Sequence, residues 1–386
     1  MNISIPKSII FFVTVLVFFG LAPVLAHAVD VTKPDTLGLA DEGMSKDSYD
    51  RGTIEKIIHE SEMQELGETV LNQQAELLIN SGSDVGKKVI IDYQVRGSFL
   101  EDKKLFPGQE VVVNKNETPE GVHYYVSEVF RLRAIAWLLA LFFALTIFLT
   151  GRRGIMALVG LGVTMMIIGW YIVPHITRGE NPLVVCLIGT SLIASSSLFL
   201  AHGFNRRTTL AFISSVITIG ISLFISVGAV SWVHLFGLGS EEAYYLQYAP
   251  VGTINMRGLL LGGIIIGVMG VLDDVTTAQV ATVGELKAAN PKLSARELYR
   301  RANLVGREHI VSLVNTLVLA YVGASFPLLL LFTTFGTPWW VTMNTELISE
   351  ELVRTIIGSL ALVTAVPLTT LIAAYSYGRV KNFETI

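Results

Sequence analysis

Long apolar segments separated by short polar ones occupy the C-terminal two thirds of this 386-residue chain. An apolar run of about 20 residues is long enough to cross the roughly 30 Å hydrocarbon core of a bilayer as a helix. The pattern therefore predicts an all-α polytopic membrane helix bundle over residues 131–378. Seven spans are predicted, at 132–150, 155–175, 182–201, 208–235, 257–277, 310–332 and 353–377.

A different pattern precedes the apolar segments, over residues 51–130. Short runs rich in β-branched and aromatic residues are separated by turn signals such as Ser81-Gly82-Ser83 and Pro107-Gly108. Five short strands in about 80 residues predict a small β-rich domain, a closed or half-closed barrel that is OB-like. The predicted strands are 51–59, 76–80, 88–95, 110–113 and 123–129.

The first 28 residues have the pattern of a secretory signal peptide. Lys7 precedes an apolar core at 9–21, and Ala26-His27-Ala28 is a small-x-small cleavage site. The alternative is an uncleaved anchor helix, and both interpretations place the β-rich domain outside the cytoplasm. The polar residues 29–50 are predicted to form a flexible linker, and 379–386 a cytoplasmic tail.

Composition and charge support this topology. Hydrophobic residues make up 52% of the chain and charged residues 16%, against about 25% charged in average soluble proteins. With the β-rich domain outside, the predicted cytoplasmic segments carry most of the basic residues, as the positive-inside rule requires for a plasma-membrane protein. These residues are Arg152, Arg153, Arg206, Arg207, Lys287, Lys292, Arg296, Arg300, Arg301, Arg307, Arg379 and Lys381.

Several classes of chemistry find no support in the sequence. The single cysteine, Cys186, allows neither a disulfide framework nor a thiolate metal cluster, and the histidines lack metal-ligand spacing. No G-x-S-x-G, H-E-x-x-H or Walker motif occurs. The β-rich segment has no dense basic face for nucleic acid. We therefore expect neither an enzyme, nor a bound metal or cofactor, nor a nucleic-acid partner.

The stretch GVMGVLDDVTTAQVATV, residues 267–283, places two adjacent carboxylates, Asp273 and Asp274, near the end of an apolar span. At 100° per residue, Asp274 shares one helix stripe with several glycines, and glycines at four-residue spacing let helices approach closely in lipid. Asp274 is therefore predicted to face the bundle, in the inner leaflet. The glycines predicted to pack are Gly258, Gly262, Gly263, Gly267 and Gly270.

Two interpretations of the acidic pair remain open. An ionisable residue inside a membrane is expensive and usually functional, which predicts a proton- or cation-responsive site in a transport path. Thr276, Thr277 and Gln279 would add polar groups to a wet cavity. Alternatively, the two carboxylates only end the span and anchor it to cytoplasmic basic residues.

Asn315 and Thr316 lie about one and a half turns into the sixth predicted span, at the depth predicted for Asp274. A hydrogen bond from Asn315 to Asp274 is therefore predicted. An ordinary interhelical amide bond, worth about 1 kcal/mol, is the alternative.

A second group of charged residues opens the last predicted span. Glu350 and Arg354 have the i,i+4 spacing of a helical ion pair, with Glu346 one turn earlier. They are interpreted either as an outer gate or cation-attracting vestibule, or as a solvated first turn, where acids are favoured.

Three motifs resemble the YibE/F-like membrane proteins of bacteria: NMRGLLLGG at 255–263, GVLDD at 270–274 and NTLVLAYVG at 315–323. The resemblance covers about 131–378, and the β-rich segment is similar to that of the longer, YibE-type members. It implies a multi-span plasma-membrane protein and a partner that is either a shorter YibF-type paralogue or a second copy. It implies little about activity.

Two functions are compatible with these observations. The first is a transporter or permease-like subunit in which Asp274 and Asp273 respond to a proton or cation, and the barrel recognises or gates on the outer side. The second is a non-enzymatic subunit of a cell-envelope complex, in which the spans anchor and the barrel binds a partner.

Overall fold

The computed structural model describes residues 46–65, 68–96, 100–118, 121–248, 254–334 and 336–378. The predicted signal peptide, most of the predicted linker and the predicted tail lie outside these residues. The chain forms two compact units, one with the sheet and most of the first long helix, the other with the later helices.

Five antiparallel strands form the sheet, in the order β3-β2-β1-β4-β5. This nearly closed, barrel-like sheet confirms the predicted β-rich domain. Strand β1 begins inside the segment predicted as linker, and β2 begins eight residues before its predicted start at 76. The strands are β1 (Lys46–Glu65), β2 (Glu68–Ile79), β3 (Lys88–Arg96), β4 (Glu110–Thr118) and β5 (Gly121–Val129).

Alternating side chains fill the interior of the sheet. Ile54, Leu77 and Val113 are fully buried there, whereas the intervening residues face outward. On the same face as this core, the turn after β2 is tied to β4 and β5. Lys115 Nζ lies 2.8 Å from Asp84 Oδ2, and these contacts, with a hydrogen bond from Tyr124, lower the pKa of Asp84 below its ordinary value.

In the part of the chain that the structure describes, six helices are long and apolar enough to cross a membrane, or up to seven if a bent pair counts as one span. The helices are α1 (Leu100–Lys103), α2 (Leu132–Thr150), α3 (Arg152–Thr177), α4 (Pro182–His202), α5 (Arg206–Trp232), α6 (Glu241–Gln247), α7 (Met256–Ala289), α8 (Ala295–Ala324), α9 (Phe326–Thr334), α10 (Trp339–Met343) and α11 (Glu346–Gly378). This confirms the predicted polytopic membrane helix bundle.

The predicted sixth span is the bent pair. Helices α8 and α9 meet at 58°, next to Ser325. Pro327 lies at the second position of α9, where its missing N–H removes no helical hydrogen bond and its ring prevents α8 from continuing straight. The break therefore has a local cause in the sequence.

Helix α7 is the centre of the bundle, because it packs against α4, α5, α8 and α11. Most of its circumference is buried, and Leu272 and Ile265 are fully inaccessible. Gly258 and Gly262 face α4, the arrangement expected of glycines that pack against a neighbouring helix. A Cβ added to Gly262 would lie 2.5 Å from Cys186 Sγ, whereas one added to Gly263 would meet nothing within 4 Å.

Replacing Gly262 with alanine is expected to destabilise the helical unit by about 1–3 kcal/mol, because α4 must move away from α7. Gly263→Ala is the matched control, and we expect it to be neutral or stabilising by up to about 1 kcal/mol, since alanine is the better helix former. Apparent thermal unfolding of the two purified variants in one detergent tests this. Equal losses of stability would contradict the assigned α4–α7 contact.

Candidate functional site

Three polar residues at the middle of α7 face different neighbouring helices. Asp273, Thr276 and Gln279 are three residues apart along the chain. Each is therefore rotated by about 60° around the helix axis relative to the one before it. Thr276 and Gln279 are buried, and Asp273 is half-buried. We call these three residues and their side-chain partners the polar hub.

Asp273 connects α7 to α4 through a hydrogen bond donated by the Ser197 hydroxyl to Asp273 Oδ2. The other carboxylate oxygen, Oδ1, is buried and has no hydrogen-bond partner among the described residues. Asp274 and His202 are close enough to interact electrostatically with this carboxyl group. An unpartnered buried carboxylate oxygen is a place where a proton, water or cation can bind.

The other two members complete the connections of α7. Thr276 Oγ1 lies 3.0 Å from Ser215 Oγ of α5. Gln279 Nε2 donates to the Ala302 carbonyl of α8 at 2.9 Å and to Thr370 Oγ1 of α11 at 2.7 Å. Four helices thus meet α7 through polar contacts within two turns.

The predicted orientation of the acidic pair is wrong. Asp274 is exposed, and so are Gly263 and Gly270, whereas Asp273 faces α4. The stripe shared by Asp274 and the glycines is the open strip of α7 between its neighbours. Only Gly267 on this stripe approaches another helix, since its added Cβ would lie 3.2 Å from the Tyr321 hydroxyl of α8.

The predicted contact between Asn315 and Asp274 is also absent. Asn315 and Thr316 are exposed on α8, and the Thr316 hydroxyl donates to the Ser312 carbonyl of its own helix at 3.0 Å. The side of α8 that faces the bundle carries Ala302, Gly306 and Leu317 instead. The prediction used the depth of Asn315 along its helix, and depth does not show which side of the helix a residue occupies.

The acids that open α11 hold a loop in place. Glu346 Oε1 accepts hydrogen bonds from the backbone N–H groups of Phe236, Gly237 and Leu238 at 2.5, 3.0 and 3.4 Å. Glu350 Oε1 accepts one from Gly239 at 3.0 Å. We call this arrangement the carboxylate clamp; its Glu350 side chain is buried.

The clamp changes the interpretation of the predicted vestibule. Arg354 pairs with Glu351, at 3.2 Å, and not with Glu350 as the i,i+4 spacing predicted. Backbone N–H groups of a tight loop already donate hydrogen bonds to Glu346 and Glu350. The geometry therefore favours a structural role for Glu346 and Glu350 over a cation-attracting vestibule.

Two features of the hub were missed at the sequence level. Ser197 and Ser215 were not singled out, although both contact hub residues. A usable signal was present in α5, where Ser214, Thr218, Ser222 and Ser226 recur every four residues and are all buried. Hydroxyls on one stripe of an apolar helix indicate the side that faces other helices.

The hub chemistry is that of a single carboxylate among hydroxyl and amide groups. No group of three or more His, Cys, Asp or Glu side chains that could hold a metal ion occurs in the described part of the chain. One carboxylate with neutral oxygen donors suits a proton or a monovalent cation better than a tightly held transition metal.

Comparison with known proteins gives one positive result. A family model described as YibE/F-like protein matches residues 138–379, more than half of the chain. No curated protein and no solved structure matches.

Proposed function

The chain belongs to the YibE/F-like family, and from this membership and the polar hub we propose that it is a transporter or permease-like membrane subunit. Asp273 is the proton- or cation-responsive group, and Ser197, Thr276 and Gln279 support it. Asp274 lies on the open strip of α7, outside the hub. The sheet domain serves as an outer recognition or gating module.

One observation carries the proposal: the buried, unpartnered Oδ1 of Asp273 at the middle of a central apolar helix. A carboxylate that only anchored a helix end would be placed at a terminus and in contact with water or a basic residue. Among the described residues, Asp273 forms no salt bridge. A half-satisfied charge in such a site is costly, and ionisable residues of this kind usually serve ion or proton movement.

The membrane placement is part of the proposal. The protein lies in the bacterial plasma membrane, with residues 29–130 outside and the C-terminus in the cytoplasm. The basic residues of the loops and the predicted signal peptide support this orientation. The activity is not enzymatic, in keeping with the lack of a catalytic motif in the sequence.

Flux in proteoliposomes tests the function. The purified protein, alone and with a shorter paralogue, is reconstituted, and proton or monovalent cation movement is followed with a pH-sensitive or ion-sensitive dye under an imposed gradient. We expect flux above that of empty liposomes. Flux equal to that of empty liposomes under every gradient and with both preparations would reject the proposal.

A second function is favoured by the exposed face of α8. Val311, Asn315, Val318 and Val322 are exposed there, at alternating spacings of four and three residues that suit a helix–helix seam. An asparagine facing lipid is unfavourable, so a second copy or a paralogue would cover it. In this alternative the chain is a structural subunit of an envelope complex. A stoichiometric partner on copurification, with no flux, would support it.

A further inference from the structure

A groove lined by residues with polar side chains crosses the outward face of strands β1, β2 and β3. Its volume is about 430 Å³, within the usual range of roughly 300–1,000 Å³ for ligand sites. The groove lies entirely within the sheet unit. Its lining residues are His59, Asn72, Gln73, Gln74, Asp92, Tyr93 and Gln94.

Strand register arranges the outward side chains in two rows. His59, Gln74 and Asp92 are paired across β1, β2 and β3, and Asn72 pairs with Gln94 in the next row. Neighbouring strands are about 4.8 Å apart, so the polar groups form a closely spaced grid. Gln73 belongs to the opposite face, where its amide bonds with the backbone of Leu105.

Some side chains of this grid are held in place by hydrogen bonds to each other, and others are available to bind a ligand. Gln74 Nε2 donates to Asp92 Oδ1 at 3.0 Å, which orients both side chains. The side chains of His59 and Asn72 form no hydrogen bond with the described residues. Amide, imidazole and carboxylate groups together offer both donors and acceptors, as a ligand rich in hydroxyl groups requires.

Charge and shape narrow the ligand class. Among the described residues, no lysine or arginine lines the groove, and the one carboxylate there, that of Asp92, disfavours polyanions such as nucleic acid. Polar side chains line the groove, but apolar atoms supply more of its exposed surface, a combination that suits a ligand with both hydroxyl groups and apolar ring faces. In five-stranded, partly open barrels of the OB type, the face of strands 2 and 3 is where oligonucleotides and oligosaccharides bind, and this groove lies on those strands.

We propose that this groove binds a neutral oligosaccharide. Asn72, Gln74, Asp92 and Gln94 bind its hydroxyl groups, and His59 adds ring surface to the contact. The inference deepens the outer recognition role proposed above and rests on it. Binding is measured without flux, so the failure of one proposal can be distinguished from the failure of the other.

Titration of the full-length protein in nanodiscs tests the proposal. The probes are chitotetraose, cellotetraose and maltotetraose, with a single-stranded dodecanucleotide and an unstructured neutral peptide for comparison. We expect saturable binding of at least one saccharide with a Kd of about 1 mM or tighter. No saturable saccharide binding, or preferential binding of the oligonucleotide or the peptide, would overturn it.

Variants locate the binding to the groove. Asn72→Val with Gln94→Val removes two amides while keeping strand propensity, and each lost hydrogen bond is expected to weaken binding roughly 2- to 10-fold. Gln64→Val, on exposed β1 outside the groove, is the matched control and should leave the Kd unchanged. Equal affinity of all three proteins would overturn the assignment.

A second measurement needs no variant. Carbodiimide labelling of carboxyl groups, quantified by peptide mass spectrometry, reports on Asp92 in the wild-type protein. A bound saccharide is expected to slow the labelling of Asp92 severalfold and to leave that of Glu128, exposed on β5, unchanged. Unprotected Asp92 at a saturating concentration of saccharide would place the binding elsewhere.

Discussion

Replacing Asp273 with asparagine is expected to reduce coupled flux in proteoliposomes to the level of empty liposomes. The amide has nearly the shape of the carboxyl group, and its oxygen can still accept the Ser197 hydrogen bond that joins α7 to α4. The amide can neither take up a proton nor carry the charge that attracts a cation. Folding is therefore expected to survive while the proposed responsive group is lost.

Asp274→Asn is the matched control for this experiment. It makes the same chemical change one residue away, on the exposed strip of α7, and we expect it to retain flux within about twofold. Expression, elution volume and thermal unfolding of both variants are compared with those of wild type. Loss of flux in Asp274→Asn but not in Asp273→Asn would reverse the assignment of the two acids.

Replacing Glu346 with alanine is expected to lower the apparent unfolding temperature by roughly 5–10 °C. Three backbone N–H groups of the loop at 236–238 lose their common acceptor. Hydrogen bonds to a charged group contribute about 1.5–3 kcal/mol each, and partial rehydration of the exposed loop leaves a net loss of roughly 2–3 kcal/mol. For a unit of this size 1 kcal/mol corresponds to about 2–4 °C.

Glu351→Ala is the control for the clamp. Glu351 is an acid five residues later in α11, and its one described ion pair, with Arg354, is partly exposed. Such pairs contribute at most about 1 kcal/mol, so a shift of no more than a few degrees is expected. Unfolding is followed in detergent at one scan rate. Equal shifts for Glu346→Ala and Glu351→Ala would contradict the clamp.

The general architecture could be predicted because it follows from periodicity. Apolar runs of about 20 residues identified the helices, and alternating side chains identified all five strands. The start of β2 was missed because Asn72, Gln73 and Gln74 form a polar run with few β-branched residues. The structure explains this run: Gln73 satisfies backbone groups inside the barrel and its two neighbours line the groove.

The hub was only partly predictable. The acidic pair, Thr276 and Gln279 were recognised, but the stripe of glycines was given the wrong face. Small residues suit either a close helix contact or an open strip, so spacing alone cannot distinguish the two. The buried face of α7 is instead marked by large side chains such as Leu272 and Ile265.

The clamp could not be predicted from local spacing. Its acceptors are in α11, and its donors are backbone groups more than 100 residues earlier. Every loop has backbone N–H groups, so they do not distinguish this loop in the sequence. Its glycines are the only distinguishing feature. Gly237 adopts φ +83°, and a Cβ there would lie 2.3 Å from the Met256 carbonyl oxygen, which a folded structure is needed to show.

The carboxylate clamp determines which helices can move independently. It joins the loop after α5 to the start of α11. Gly237 in that loop also packs against the first turn of α7, so contacts hold these three helices together at one end. Thr276 and Gln279 fasten them again halfway along. Helix α4 is joined to the same group at mid-length by the Ser197–Asp273 hydrogen bond. A change in the charge of Asp273 would therefore alter the strength of the polar contact between α4 and the α5–α7–α11 body and leave the contacts within that body unchanged.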